Sequence, residues 1–326
     1  MLTEKLRVGV LRGGPSSEYE VSLQSGARVL DVLRDSPKYR PVDVFIGKDG
    51  VWHISGMPHD PHKALKKVDV IFNALHGEYG EDGEVQNLLD TFQIPYTGSR
   101  SFASRVAMNK ALAKSFLSRE GIKTPHYRVL SREENNQDFL REIFRSFPHP
   151  LIVKPLSLGS SVGVSIVWSF DDLEDGLRRV FEICERAIIE EFIKGKEATC
   201  GVVENFRGEK IYALLPIEIR PPSESAFFDY GAKYGGRSQE ICPGNFSFEE
   251  KRELERLAKV VHGTLGLRHY SRSDFIVHPR RGIYFLETNT LPGLTSESLL
   301  PKALHAVGFP ANKFIDHVLA LALEGK

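Results

Sequence analysis

Ser271-Arg-Ser-Asp-Phe-Ile-Val-His-Pro-Arg-Arg-Gly-Ile-Tyr-Phe-Leu-Glu-Thr-Asn289 is the stretch that decides the fold. Its two halves alternate polar and apolar residues, and Pro279-Arg280-Arg281-Gly282 between them has the composition of a turn. An antiparallel hairpin is expected. With His278 and Ile283 closing the loop, Asp274 falls opposite Glu287 and Arg272 opposite Asn289, all on one face. The other face then carries Phe275, Val277, Tyr284 and Leu286, which is core material.

Two directly opposed carboxylates repel, and sheets avoid that arrangement. A divalent cation between them removes the repulsion, and the all-oxygen set Asp274, Glu287 and Asn289 suits Mg2+. Arg272 stands alongside, placed for an oxyanion. A ladder of Arg–carboxylate pairs on an exposed hairpin would explain Arg272 and one acid, but not the second acid or the amide. The metal reading depends on register, since a slip of one residue sends the whole set to the opposite face.

Upstream lies Ile152-Val-Lys-Pro-Leu-Ser-Leu-Gly-Ser-Ser-Val-Gly163. Lys154 closes a buried strand, and Gly159 to Gly163 can fold with backbone N–H groups facing an anion. The alternative is a plain hairpin turn, but an unpaired ammonium in an apolar strand is costly to bury. Neither Gly-x4-Gly-Lys-Ser/Thr nor Gly-x-Gly-x-x-Gly occurs, so this loop is the best phosphate site on offer, and a dinucleotide oxidoreductase is disfavoured. In Ile188-Ile-Glu-Glu-Phe-Ile-Lys-Gly-Lys-Glu197, two adjacent carboxylates end an apolar strand. By alternation Glu190 and Glu191 face opposite sides, and Glu197 follows after a turn. Such acceptors suit the donors of adenine and ribose; a solvated strand end is the plainer explanation.

Toward the N-terminus, strand signals at 6–11, 42–46 and 68–74 alternate with helix patterns at 20–33 and 83–92, and 94–96 reads as a short strand. That order predicts a doubly wound α/β lobe. A helix over 108–119, strands at 150–155, 162–168, 187–193, 198–204 and 210–219, and a helix over 248–265 follow. Residues 221–245 show no periodicity, which suits a functional lid.

The 326 residues exceed one ordinary core. Lys plus Arg balance Asp plus Glu at 43 each, so no global field exists to hold nucleic acid. Cys184, Cys200 and Cys242 lack metal spacing and are expected as reduced thiols. With no long apolar run, a cytoplasmic protein without membrane contact is expected.

Taken together, Lys154, the Gly-Ser-Ser loop, the Glu-Glu strand and the Arg-x-Asp…Glu-x-Asn hairpin resemble the ATP-grasp fold. Four stretches narrow the resemblance to the D-alanine–D-alanine ligase family: Gly13-Gly-Pro-Ser-Ser-Glu-Tyr-Glu-Val-Ser22, Ala74-Leu-His-Gly-Glu-Tyr-Gly-Glu-Asp-Gly83, Phe228-Asp-Tyr-Gly-Ala-Lys-Tyr234 and Asn289-Thr-Leu-Pro-Gly-Leu-Thr-Ser-Glu-Ser-Leu299. The resemblance implies an α/β and α+β multidomain chain. An N-terminal α/β substrate domain over 1–98 would precede a two-lobed ATP-grasp fold, with a central lobe over 99–190 and a C-terminal lobe over 191–326.

It also implies the activity: ATP-dependent joining of two D-alanine molecules through an acyl phosphate, for peptidoglycan precursors, in a cytoplasmic homodimer. On this resemblance Lys110, Lys154 and Lys233 hold ATP phosphates. Glu190, Glu191, Ile193 and Glu197 hold adenine and ribose, with Phe192 and Leu286 lining the base pocket. Asp274, Glu287 and Asn289 carry two Mg2+ or Mn2+ ions. Glu18 receives the ammonium of the first D-alanine, with His76 near its carboxylate and Ser160 and Tyr234 in a hydrogen-bonded group with Glu18. Arg272 and the backbone N–H of Gly293 stabilise the oxyanion, and Ser298 and Leu299 receive the second carboxylate.

Ser157, Ser273, Phe228 and Gly231 depart from the family pattern without touching these positions. Relatives that accept D-lactate tend to have Phe where Tyr234 stands, so a depsipeptide is not the expected main product. Ligases of other small amino acids, and a non-catalytic nucleotide-binding regulator, are the remaining alternatives; the regulator would lack the metal ligands that this chain retains.

Overall fold

Val8, Val10 and Leu11 are closed to solvent and put β1 (Leu6–Gly13) inside the first sheet rather than at its edge. The computed structural model describes residues 5–159, 162–221 and 239–324. Flanking β1 are β2 (Tyr39–Ile46), β3 (Trp52–Ile54), β4 (Met57–His59) and β5 (Val70–Asn73), in the order β4-β3-β2-β1-β5. Strand β1 runs parallel to β2 and β5, and β3 and β4 are antiparallel additions. One face packs on α1 (Tyr19–Arg34), the other on α2 (Pro61–Leu65) and α3 (Glu84–Thr91). This is the doubly wound lobe expected from the pattern. The β3–β4 hairpin was not expected, because three-residue strands carry too little alternation to register. The short strand at 94–96 is reduced to one parallel bridge between Ile71 and Tyr96.

The helix expected over 108–119 is α5 (Lys110–Arg119), and a further helix, α4 (Ser101–Met108), precedes it where none was expected. Asn109 has extended backbone, and its side chain accepts the Leu112 N–H, capping α5. Starting α5 there puts Lys110 and Lys114 one turn apart on one face, both buried.

Four antiparallel strands form the second sheet: β6 (Tyr127–Ser131), β7 (Leu151–Pro155), β8 (Ser165–Val167) and β9 (Arg186–Glu191), in the order β6-β9-β7-β8. It is backed by α6 (Gln137–Ser146) and α7 (Phe170–Ile183). The sequence reading left α7 unassigned, although a Ser169–Asp172 capping box and buried Leu173, Leu177 and Val180 mark it.

The third sheet comprises β10 (Lys196–Phe206), β11 (Glu209–Ala213), β12 (Ile217–Arg220), β13 (Gln239–Ile241), β14 (Tyr270–His278) and β15 (Gly282–Asn289). Its order is β13-β12-β10-β14-β15, with β11 also on β10. The one strand expected over 210–219 is thus two. Helices α4, α5 and α8 (Phe248–Thr264) back this sheet, around Phe275 and Phe285. The last helices, α9 (Leu299–Ala306) and α10 (Ala311–Glu324), return to the first sheet, where Leu300, Phe314 and Val318 join the core of β1 and β5. Among the described residues, no helix is long and apolar enough to cross a membrane.

Candidate active site

In the hairpin, Arg272 pairs with Asn289 and Asp274 with Glu287, as the alternation requires. The rest of the ladder differs from expectation. A bulge between Asp274 and Phe275 absorbs one residue, so His278 pairs with Gly282 rather than Ile283, and Phe275 with Phe285. Beyond the bulge, Phe275, Val277, Ile283 and Phe285 face the core, whereas Tyr284 and Leu286 pack with Ile193 and Ile276. Placing Tyr284 and Leu286 in the core with Phe275 is therefore corrected: the extra residue reverses the facing of β15 relative to β14. Leu286 lines a cavity instead.

Asp274 is held from both sides. Thr199 on β10 donates to Oδ1 at 2.6 Å, and Arg272 donates from Nε and Nη2 at 3.1 Å each. Arg272 keeps its charge despite burial, because Asp274 and Glu287 outweigh the desolvation. Ser273, where an apolar residue is usual, is buried and bonds Thr288 across the ladder at 3.0 Å, which satisfies its hydroxyl.

Lysines face this hairpin. Lys154 is the penultimate residue of β7, two residues after Ile152, and Glu190 on β9 pairs with Ile152. Alternation thus puts Lys154 and Glu190 on one face, with Nζ 2.8 Å from Oε2. Lys114 reaches Oε1 of the same carboxylate at 3.0 Å. Lys110 lies 3.4 Å from Glu287 and donates to the Leu158 carbonyl at 2.5 Å, fixing the loop after β7. Burial lowers the pKa of Lys110 against the pull of Glu287. Burial also opposes the charges of Lys154 and Glu190, but their mutual attraction and the neighbouring ions prevail, raising the first and lowering the second.

Glu191 turns to the other side, as alternation predicts, yet it too is buried. It accepts from the His126 N–H at 3.0 Å and from Arg281 at 3.0 and 3.2 Å. A cavity of about 690 Å³ lies between the second and third sheets. Lys110, Lys154, Arg272, Asp274 and Glu287 line it together with Glu190, Glu191 and Glu197. Phe192, Ile193, Leu286 and Leu299 supply apolar wall. Flat aromatic bodies and their attached anions suit such a mixture.

The first lobe reaches the loop after β7, whose Leu158 lines this cavity. A β-carbon on Gly159 would lie 2.5 Å from Glu18 Oε1, so the Glu18 carboxylate takes the space that a side chain on the loop after β7 would need. Gly77, at φ +70°, is closely approached by Ser16 Oγ and touches Glu18. His76 is buried; its Nδ1 bonds the Leu291 carbonyl and its Nε2 the Ser25 hydroxyl, each at 2.8 Å. A carbonyl only accepts, so Nδ1 carries the proton and Nε2 accepts from Ser25. Burial pushes the ring pKa down to about 4, so His76 is neutral.

Glu81 was missed by the sequence reading. Its buried carboxylate accepts the N–H groups of Gly77, Thr290 and Leu291, tying the first lobe to the loop after β15. Its partners lie 209 and 210 positions away, which no local pattern reveals. A β-carbon on Gly293 would meet Ser298 Oγ at 2.7 Å, so these two expected substrate contacts sit together. Ser160, Lys233, Tyr234 and most of the 221–245 stretch lie outside the described residues.

Two antiparallel sheets enclosing a cleft lined by Lys110 and Lys154 and, from the hairpin, by Arg272, Asp274 and Glu287, with Asn289 paired to Arg272 beside them, define an ATP-grasp ligase. The family models "D-ala D-ala ligase N-terminus" and "D-ala D-ala ligase C-terminus" match residues 7–64 with 55–99, and 116–320. The chain is 40% identical to the D-alanine–D-alanine ligase of Geobacter sulfurreducens, over 97% of its own length and 94% of the relative's. Its fold is similar to the VanG D-Ala:D-Ser ligase of Enterococcus faecalis (TM-score 0.86, 29% identity, 98% and 100% coverage). It is also similar to the Bacillus anthracis D-alanine–D-alanine ligase complexed with ATP (TM-score 0.81, 34% identity, 99% and 98% coverage). The chain belongs to the D-alanine–D-alanine ligase family. Membership implies ATP and a divalent metal, and the residues present fit both: an all-oxygen set on opposed strands for the metal, and buried lysines for phosphate.

Proposed function

We propose that the enzyme joins two D-alanine molecules into D-alanyl-D-alanine, using ATP, for peptidoglycan precursor synthesis. The observation that carries this is the convergence of Lys110, Lys154, Arg272, Asp274 and Glu287 on one cleft, with Glu18 against Gly159 of the loop after β7.

A carboxylate does not react with an amine at neutral pH. The first D-alanine carboxylate therefore attacks the γ-phosphorus and releases ADP, giving an acyl phosphate. The amine of the second, once deprotonated, attacks the acyl carbon, and phosphate leaves. Lys110, Lys154 and Lys233 hold the phosphates and neutralise the transferring group. Glu190, Glu191, Ile193 and Glu197 address adenine and ribose, with Phe192 and Leu286 against the base. Two Mg2+ or Mn2+ ions on Asp274, Glu287 and Asn289 would supply further charge neutralisation at the triphosphate.

Glu18, grouped with Ser160 and Tyr234, receives the first ammonium, and neutral His76 lies near the same amino acid's carboxylate. Arg272 and the Gly293 N–H face the oxyanion of the tetrahedral intermediate. Asp274 engages Nε and Nη2 of Arg272, which orients the guanidinium. Removing one such donor commonly costs ~3 kcal/mol, roughly 100-fold in rate. Ser298 and Leu299 take the second carboxylate. A homodimer in the cytoplasm is the expected form.

A second reading, ligation of another small amino acid at the second position, is favoured by the fold likeness to a D-Ala:D-Ser ligase. ATP-dependent phosphate release, screened over D- and L-amino acids and D-lactate, separates the two. Fastest release with D-alanine alone supports the first; release that requires D-serine or another second substrate supports the other.

A further inference from the structure

Lys114 has none of the roles proposed for this cleft, yet its side chain is fully buried, with no exposed surface. Burying an ammonium is costly unless it is paired, and a lysine without a ligand to bind needs a reason. Its partner is Glu190, whose two oxygens are divided: Oε1 lies 3.0 Å from Lys114 and Oε2 lies 2.8 Å from Lys154. One lysine would already neutralise that carboxylate. The two lysines also differ in access, since Lys154 lines the cavity and Lys114 does not. A ligand entering the cleft meets Lys154 while Lys114 stays enclosed behind Glu190.

We propose that Lys114 is the standing counter-ion of Glu190 and so releases Lys154 to the nucleotide phosphates, making Lys114 a positioning residue for ATP affinity. This role rests on ATP occupying the cleft. Phosphate oxygens that draw Lys154 toward them must compete with Glu190. Were Lys154 the sole cation on that buried carboxylate, its departure would leave the charge uncompensated, and ATP binding would bear the penalty. With Lys114 fixed on the opposite oxygen, Glu190 remains paired whichever way Lys154 turns. Helix α5 supplies both halves of the device. Lys110 faces Glu287 at the hairpin, and one turn later Lys114 faces Glu190 on β9. The two carboxylates are thus matched by three lysines, which leaves the cluster with positive charge to spare for a polyanion.

The test is a double-substitution cycle on the full-length enzyme, with the KM for ATP measured at saturating D-alanine. Lys114→Met is expected to raise that KM by about tenfold or more, with kcat and the KM for D-alanine within about threefold. In a Glu190→Gln background, where no charge competes for Lys154, adding Lys114→Met is expected to change the KM by less than about threefold. Equal losses in both backgrounds would make Lys114 a fold element only and overturn the proposal, as would an unchanged KM in Lys114→Met. If that single variant does not fold, the double variant against Glu190→Gln decides, and a loss beyond about threefold overturns it. Failure of the unsubstituted enzyme to saturate with ATP would instead overturn the nucleotide reading itself.

Discussion

Lys110 Nζ lies 3.4 Å from Glu287 Oε2, joining the first residue of α5 to the last strand of the hairpin across the cleft. Glu287 also stands opposite Asp274 on the neighbouring strand. The same carboxylate is therefore shared between a phosphate lysine and the proposed metal set. Glu287→Gln keeps the shape and removes the charge. A fall in kcat of about 100-fold or more is expected, with little change in Tm. Chelation of divalent metal should abolish phosphate release from the unsubstituted enzyme, and Mg2+ or Mn2+ should restore it. Residual turnover near the unsubstituted rate in Glu287→Gln would contradict the assignment.

Gly159→Ala places a methyl 2.5 Å from the present position of Glu18 Oε1, closer than the two atoms can stand. The obstructed atom is the far end of a flexible side chain, so the fold should absorb the change. The functional effect should fall on the first D-alanine, with its KM raised and the KM for ATP less affected. Steady-state kinetics together with a melting curve check this; a large drop in Tm with unchanged kinetics is the opposing result.

Glu81→Ala should cost stability as well as activity. It strips the acceptor from three buried N–H groups, those of Gly77, Thr290 and Leu291. Leaving a buried donor unsatisfied costs about 1–3 kcal/mol, so the sum is a large share of a marginal fold. The loop that carries Gly293 and Ser298 loses one of its ties to the first lobe, keeping that of His76 to Leu291. Urea unfolding and kcat should both report the loss, and stability within about 0.5 kcal/mol of the parent would refute the tie.

Acid should destabilise the protein through its buried histidines. Burial holds His76 down to about 4 and His269 down to about 3, below the ordinary histidine value of about 6.5. As pH falls from about 6.5 toward 4, the unfolded chain takes up these protons while the native state refuses them, so native stability falls. Glu81 acts in the other sense. Burial and then the charge of Glu18 lift its carboxyl to about 7, so between about 4.5 and 7 the native state holds a proton that the unfolded chain lacks. Two histidines outweigh one carboxyl. The urea midpoint should drop between pH 6.5 and 4, and more steeply in Glu81→Gln; a midpoint that rises on acidification would contradict this.

The facing of Asp274, Glu287, Arg272 and Asn289 was legible because alternation and a Pro-Gly turn are local signals. The bulge was not, since a single extra residue leaves no mark in composition; it turned Tyr284 and Leu286 away from Phe275, Tyr284 onto Ile193 and Ile276 and Leu286 into the cleft wall. Lys154 announced itself as a charge in an apolar strand. Lys114 did not, because on a helix a lysine every four residues looks like a solvated face, and only tertiary packing buries it. Helix α7 carried a capping box that was there to be used. Glu81 carried nothing comparable, because what it holds is far away in the chain.

The most direct trial of the activity is chemical. The purified enzyme is incubated with ATP, Mg2+ and D-alanine as the only amino acid, and dipeptide identified by mass is weighed against phosphate released. One D-alanyl-D-alanine for each phosphate is the expected result. Phosphate without dipeptide, or dipeptide only when a different second substrate is supplied, would contradict it.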